Sequence, residues 1–464
     1  MKLIGREQEL STLERYYAKQ GSGLVVVYGE RLLGKESLIR AFGEGKPFLY
    51  LHAKPLSALA QISVWARELR GQGIAVPKEA GFAELFLAAA DSGREKGVLV
   101  IADFEHLFRT SGPKFAEEFF EALKKALEKG NLMVVFSSSS QSFVEGRLLE
   151  TVASQGKLVS GILKVKPLDF MSLLDYFEDS PYNLDECIQI YSLLGGYPGA
   201  WEMFGKTLPF REAFFNVFFA EGAPLGVPEE IFLEPYLREL AVYNTILYWI
   251  SAPREAETHY IGRKLNDLFD LTAYSRPKIL VYIKQLISIG AVEKLRNFPV
   301  SEDLQVKAVY QFANPILRFY YTYLFAFEGD KNRLFAEILF RLPGYSREAF
   351  RKACEEYLRK ASRAGELPIP LNQLSGWVGK NGSLDLLGRS SDDVYLAATI
   401  SGEADGFSES RLNYFLMSLQ KARVAPAFLY LFSLHGYSPE VTARLYGIEG
   451  IYLMDESIWQ KSSS

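Results

Sequence analysis

Residues 28 to 37 read Tyr28-Gly29-Glu30-Arg31-Leu32-Leu33-Gly34-Lys35-Glu36-Ser37, with two glycines five positions apart and a lysine directly after the second. The apolar run Leu24-Val25-Val26-Val27 precedes this stretch and Ser37-Leu38-Ile39-Arg40-Ala41-Phe42 follows it. The pattern predicts a strand, a tight loop and a helix in that order. Such a bend curls backbone N–H groups around an anion and aims a helix N-terminus at it, while the lysine reaches the β and γ phosphates of a nucleotide. The residue after the lysine is ordinarily Ser or Thr, whose hydroxyl ligates Mg2+. Here it is Glu36. Two unit charges ~5 Å apart at an effective dielectric of ~20 repel by ~3 kcal/mol, so a free carboxylate there opposes a bound polyphosphate. The cradle candidates are Gly29, Leu33, Gly34, Lys35 and Glu36, with Ser37 beside them.

The remaining chain bounds the context of this loop. Its 464 residues suggest about three domains of roughly 150 residues each. A hydrophobic fraction of 48% supports packed cores, and a net charge of −4 gives no global basic surface for nucleic acid. Cys187 and Cys354 are far apart, which fits a reducing, cytoplasmic setting and argues against a disulfide framework. His52, His106, His259 and His435 are scattered and form no pair at metal-ligand spacing. Neither a signal-like apolar stretch at the N-terminus nor a run long enough to span a bilayer is present, so no membrane partner is expected.

Apolar runs at Phe48–Leu51, Val98–Ala102 and Leu132–Phe136 alternate with segments of helical period at 57–70, 80–92 and 113–128. With a further short strand at Leu163–Val165, this predicts a three-layer α/β domain over residues 1–166. Residues 167–235 read as helices interrupted by Leu194-Gly195-Gly196-Tyr197-Pro198-Gly199, a helical lid. Over 236–328 the order is three helices and a hairpin, that of a winged helix-turn-helix; Ser275 caps the third helix and Gly290 stops it. From 329 to 464 the pattern is helical, then mixed α/β.

Two groups of side chains carry possible chemistry. Asp103 and Glu105 follow the strand at 98–102. Asp103 there is either a metal-side acid or the cap of a turn, and the two side chains share a side only while the backbone stays extended. Arg276, Lys278, Lys284 and Arg296 lie around the third helix and the hairpin, where they would meet DNA phosphates or simply form a solvated face.

Several stretches together resemble the archaeal ATPase family, a branch of the AAA+/STAND phosphate-loop proteins. They are Ile4-Gly5-Arg6-Glu7-Gln8-Glu9-Leu10, the loop from Gly29 to Lys35, the strand before Phe104 and Leu107, the serines at 137–140, Gly195-Gly196-Tyr197-Pro198, and Tyr310 to Tyr321. The resemblance implies ATP or ADP as ligand, Gly5 and Arg6 near the adenine side, and Pro198 at a turn touching the nucleotide. It sets Ala102 at the Mg2+ aspartate position and Asp103 at that of the catalytic glutamate. It also implies a C-terminal domain like restriction endonucleases, in which Asp385 matches the hairpin aspartate. The following strand, Val394 to Ile400, offers Ala397, Ala398 and Thr399 where such an enzyme has Glu and Lys.

The expectation is a nucleotide-binding regulatory or scaffold protein with little hydrolysis and an inactive nuclease-like shell. Two alternatives stand beside it. One is a weak ATPase using Glu36 and Asp103 as substitute metal ligands, and the other is a winged-helix DNA-binding protein. A protein partner is compatible with each.

Overall fold

The computed structural model describes residues 3–91, 95–109, 113–129, 131–148, 158–252, 263–295, 298–299, 309–379 and 382–459. The chain divides into two compact units. One comprises Met1–Pro167 with Tyr197–Gly199, and the other Leu168–Gly196 with Ala200–Ser464.

The first unit is built on five strands, β1 (Gly23–Tyr28), β2 (Phe48–His52), β3 (Gly97–Ala102), β4 (Leu132–Ser138) and β5 (Val159–Lys164), in the order β2-β3-β4-β1-β5. Every pairing is parallel. The apolar runs of β1, β3 and β4 are buried nearly throughout, as strands covered on both faces must be. The helices are α1 (Glu7–Tyr17), α2 (Lys35–Gly43), α3 (Ala58–Gly71), α4 (Phe82–Ala90), α5 (His106–Arg109) and α6 (Pro113–Glu128).

On one side, Trp65, Phe86, Phe104, Phe119 and Phe136 are fully buried together. Phe104 stacks on Phe136 with ring centroids 4.6 Å apart. That stack pins the turn after β3. Because β1 lies between β4 and β5, the chain leaves it at a point where the strand order reverses. In an open parallel sheet this is where ligands bind, beyond the carboxyl ends of the strands.

The second unit begins with the helices Phe170–Phe177 and Leu184–Leu194. Asn183 and Glu186 form a reciprocal capping box at the start of the latter. At Gly196 a Cβ would lie 1.9 Å from the Leu168 carbonyl oxygen, so only glycine fits that turn.

Helices Leu240–Ser251, Leu265–Thr272 and Arg276–Ser288 follow, with β6 (Arg263–Lys264), β7 (Val292–Leu295) and β8 (Val309–Phe312) in an antiparallel sheet of order β6-β8-β7. The sequence placed the second helix at 260–269; residues 260–262 lie outside the described set, Arg263–Lys264 form β6 instead, and the helix runs from Leu265 to Thr272. Beyond β7, Phe298 is packed in. The Phe298 N–H donates to the Gly376 carbonyl at 2.9 Å. Its side chain is 1% exposed among Trp377, Leu384 and Phe415.

Phe415 lies on the helix Glu409–Ala422, while Trp377 and Leu384 belong to a second five-stranded sheet, β9 (Gln373–Val378), β10 (Ser383–Arg389), β11 (Tyr395–Ser401), β12 (Phe428–Ser433) and β13 (Ile451–Met454), ordered β13-β12-β11-β10-β9. Strands β9 to β11 pair antiparallel, and β11 to β13 parallel. No helix among the described residues is long and apolar enough to cross a membrane.

Candidate phosphate-binding site

The loop leaves β1 at Tyr28 and enters α2 at Lys35. Gly29 donates its N–H to the Ser138 carbonyl at 3.2 Å. A Cβ at Gly29 would lie 2.4 Å from the Val165 carbonyl oxygen, so the position excludes larger residues. Gly34 caps α2 with φ +77°, a left-handed conformation that glycine adopts freely. Leu32 takes φ +63° at the steric cost that a side chain brings. Leu33 is buried, while Ser37 is half-buried.

Lys35 is 8% exposed, and its Nζ donates to the Glu30 carbonyl at 2.6 Å. Burial pushes its pKa down from 10.5 to about 8. The carboxylates of Glu105, Asp103 and Glu30, in that order, oppose the shift, and the Arg31 guanidinium adds to it. An anion arriving here meets a desolvated lysine that, among the described residues, has no carboxylate hydrogen-bonded to it.

Glu36 does not point its charge into an empty loop. Its Oε1 accepts from Arg40 Nε at 2.8 Å and Nη2 at 2.7 Å, one helical turn on. The Arg40 guanidinium also lies 4.5 Å from the Tyr50 ring centroid. Both members of this pair are more than half exposed, so it stabilises little; its effect is to offset the repulsion expected from the sequence.

Arg6 is 3% exposed. One guanidinium nitrogen donates to the Leu33 carbonyl at 2.9 Å and the other to Glu9 at 2.9 Å. It thus braces the loop from behind, with Gly5 at φ +64° turning the chain toward it.

Residues Tyr197–Gly199 brace the loop from another direction. The Gly199 N–H donates to the Leu32 carbonyl at 2.9 Å. Pro198 Cγ stands 3.2 Å from where a Cβ of Gly34 would be. The Tyr197 hydroxyl, on a ring 1% exposed, donates to Glu30 Oε2 at 2.7 Å.

The acids after β3 are not arranged as an extended strand would have them. The strand ends at Ala102, and Asp103 adopts φ +51°, which breaks the alternation. Phe104 is buried. Glu105 is 3% exposed; its Oε1 accepts from the Ser139 N–H at 3.3 Å. Its Oε2 has no partner among the described residues. Burial raises the Glu105 pKa. Of the two acids, Glu105 opposes the lowering of the Lys35 pKa more than Asp103 does.

Elsewhere the predicted residues form separate groups. Arg276, Lys278 and Lys284 are exposed on the helix Arg276–Ser288, and Arg296 lies outside the described residues. Lys278 sits 4.5 Å from the Tyr274 ring centroid, and Arg276 5.1 Å from that of Phe269. The helix also exposes Leu280 and Val281, the latter by 61%. Asp385, in the second unit, accepts from Arg411 at 2.6 Å and from Thr399 and the Ile400 N–H at 3.1 Å, with Arg347 3.5 Å away. Two guanidinium groups thus flank the Asp385 carboxylate.

Sequence reasoning did not single out Arg31, Tyr197 or Glu30 as site residues. The signal for Arg31 was its place between the two glycines. The pairing of Tyr197 with Glu30 had no local signal.

A phosphate chain fits this loop: glycine-permitted turns, a helix N-terminus and a buried lysine converge on it. Mg2+ in its usual setting does not fit. The position after Lys35 holds a carboxylate turned to Arg40, and β3 closes on Ala102.

Residues 3–204 match the family described as an ATPase domain predominantly from Archaea. An uncharacterised protein of Methanocaldococcus jannaschii is 21% identical over 394 residues, 84% of this chain and 85% of that protein. A Walker-type ATPase of Pyrococcus abyssi is similar in structure, with 19% identity and a TM-score of 0.49 over 69% of this chain and 96% of that one. The Aeropyrum pernix ORC2 protein, solved with ADPNP and ADP, matches with 15% identity and a TM-score of 0.46, over 74% and 95%. The loop, the strand order and the family match agree, and residues 3–204 belong to the archaeal family of phosphate-loop ATPase domains.

Proposed function

We propose that the chain binds ATP or ADP at residues 29–37 and acts as a nucleotide-responsive regulatory or scaffold protein with little or no hydrolysis. The observation that carries this reading is the substitution of both Mg2+ positions in an otherwise complete loop: Glu36 bonded to Arg40, and Ala102 at the end of β3. Gly29, Gly34 and Lys35 would hold the phosphates, and Arg6, Tyr197 and Gly199 would hold the loop. Response to the ligand would pass along the chain, since Tyr197–Gly199 engage the loop and are covalently continuous with Gly196 and Ala200.

The weak-ATPase alternative asks Glu36 and Asp103 to ligate metal. Glu36 would first have to leave Arg40, and Asp103 is turned by its left-handed backbone.

Residues 236–328 read as a winged helix-turn-helix used for packing within the second unit. The burial of Phe298, just after β7, among Trp377, Leu384 and Phe415 supports a packing role for this part of the chain. Residues 329–464 read as a nuclease-like shell without metal chemistry, supported by the arginines on Asp385.

Nucleotide affinity and turnover, measured with Mg2+ or Mn2+ and with Lys35→Ala as control, test the proposal. Binding lost in the variant with negligible turnover in the parent supports it. Turnover abolished by Lys35→Ala would overturn the non-hydrolysing part.

A further inference from the structure

A bound polyphosphate brings several negative charges, and loops of this kind ordinarily answer them with a lysine and a divalent cation. The loop here has lost the groups that hold the cation, which leaves the question of what replaces its charge. The charged side chains between Gly29 and Arg40 are Glu30, Arg31, Lys35, Glu36 and Arg40. Both carboxylates are held by other groups: Glu30 accepts from the Tyr197 hydroxyl, and Glu36 from Arg40. Lys35 is buried at the base of the loop, its ammonium on the Glu30 carbonyl. Arg31 differs from all of these. It is exposed, and it makes no hydrogen bond or ion pair among the described residues.

We propose that Arg31 is a built-in counter-ion of the loop, supplying from within residues 29–35 the second positive charge that a nucleoside di- or triphosphate would otherwise take from Mg2+. The inference rests on the nucleotide reading above and deepens it. An arginine suits the task. Its guanidinium is charged at every physiological pH and offers a planar fork of N–H donors matched to two phosphate oxygens. Because no partner among the described residues holds it, turning toward a ligand breaks no contact seen here. The diversion of Glu30 to Tyr197 matters equally, since a free carboxylate beside Arg31 would compete for the same guanidinium. Magnesium also masks phosphate charge from neighbouring groups, and a loop that carries its own second cation has less to gain from that masking.

The full chain, stripped of bound nucleotide, is titrated with ADP and ATP in EDTA and again in Mg2+ by calorimetry. The expected result is affinity in EDTA within about threefold of that in Mg2+, and a loss of at least about tenfold, equivalent to ~1.4 kcal/mol, for Arg31→Gln in EDTA. Arg31→Lys retains part of the affinity, because it keeps the charge without the fork. Thermal unfolding of the two variants reports whether either perturbs the fold, and none is expected at an exposed side chain. Affinity that rises more than tenfold with Mg2+ in the parent, or an Arg31→Gln variant that binds like the parent in EDTA, overturns the role of Arg31 while leaving nucleotide binding intact. No binding by the parent in either buffer overturns the nucleotide reading and this inference with it.

Discussion

The Tyr197 hydroxyl donates to the Glu30 carboxylate at 2.7 Å, joining two residues 167 positions apart. One belongs to the phosphate loop, and the other to the short turn that clusters with it. Burial, followed by the Glu30 charge and the hydrogen bond, raises the Tyr197 pKa well above its ordinary value, so the hydroxyl is a donor throughout the working pH range. The contact does two things. It keeps a carboxylate from turning inward toward an arriving phosphate, and it ties the loop to the turn.

Tyr197→Phe removes the donor and keeps the ring. We expect a loss of ~1–3 kcal/mol in unfolding free energy by urea titration, the usual cost when a hydrogen bond to a charged acceptor is deleted. Nucleotide affinity should fall as well, because Glu30 is released beside the loop. A variant with parent-like stability and affinity would show that the contact is incidental.

Lys35 makes a prediction with a sign. Its pKa in the folded protein is depressed from 10.5 to about 8 by burial. Between these values the unfolded chain binds more protons than the folded one, so stability rises as pH increases from about 8 to about 10.5. Below about pH 8 the destabilisation is present in full, at about 3 kcal/mol. Lys35→Met should be more stable than the parent at pH 7 and should lose that slope. A bound polyphosphate would draw the lysine back to its charged form. Calorimetry in buffers of different ionisation enthalpy should then show uptake of close to one proton per nucleotide near pH 9 and very little at pH 7. Equal uptake at both pH values would place the binding elsewhere.

The loop was legible from sequence because its information is local: glycine spacing, a flanking apolar run and an amphipathic helix. The buried strands were legible for a similar reason, since a parallel strand covered on both faces is a continuous apolar run, as in Val98–Ala102. What escaped depends on backbone conformation or on distant pairs. Asp103 and Glu105 could be related only once φ at Asp103 was known to be +51°. The charge of Glu36 is repulsive only as long as Arg40, one turn along, is left out as its partner. The burial of Phe298 against β9 joins segments that no periodicity connects. The serine-rich end of β4 was visible, but not that the Ser139 N–H would hold Glu105.

If lost ligands account for a weak response to Mg2+, restoring them should restore it. Glu36→Thr replaces the carboxylate with the usual hydroxyl, and Ala102→Asp returns an acid to the end of β3. The single Glu36→Thr variant should bind ATP at least about threefold more tightly in Mg2+ than in EDTA, and the double variant about tenfold or more. Paired titrations read this directly. A double variant that folds and remains indifferent to Mg2+ would mean that something other than these positions governs the metal.

Asp385 offers the corresponding test in the second sheet. It is 12% exposed at the side chain, with Arg411 equally buried. Removing one partner of a buried charge pair leaves the other without compensation, whereas removing both with apolar side chains of similar size often costs little. Asp385→Ala should therefore lower unfolding free energy by about 3 kcal/mol, and Asp385→Leu combined with Arg411→Met by clearly less. Arg347, 3.5 Å from Asp385, is more exposed and can turn toward water, which limits its share of the loss. Urea titrations of the two single variants and the double variant close the cycle. If Asp385 instead served a metal, Asp385→Ala would change Mn2+ binding measured by calorimetry; with guanidinium groups flanking the carboxylate, the parent and the variant should both show none.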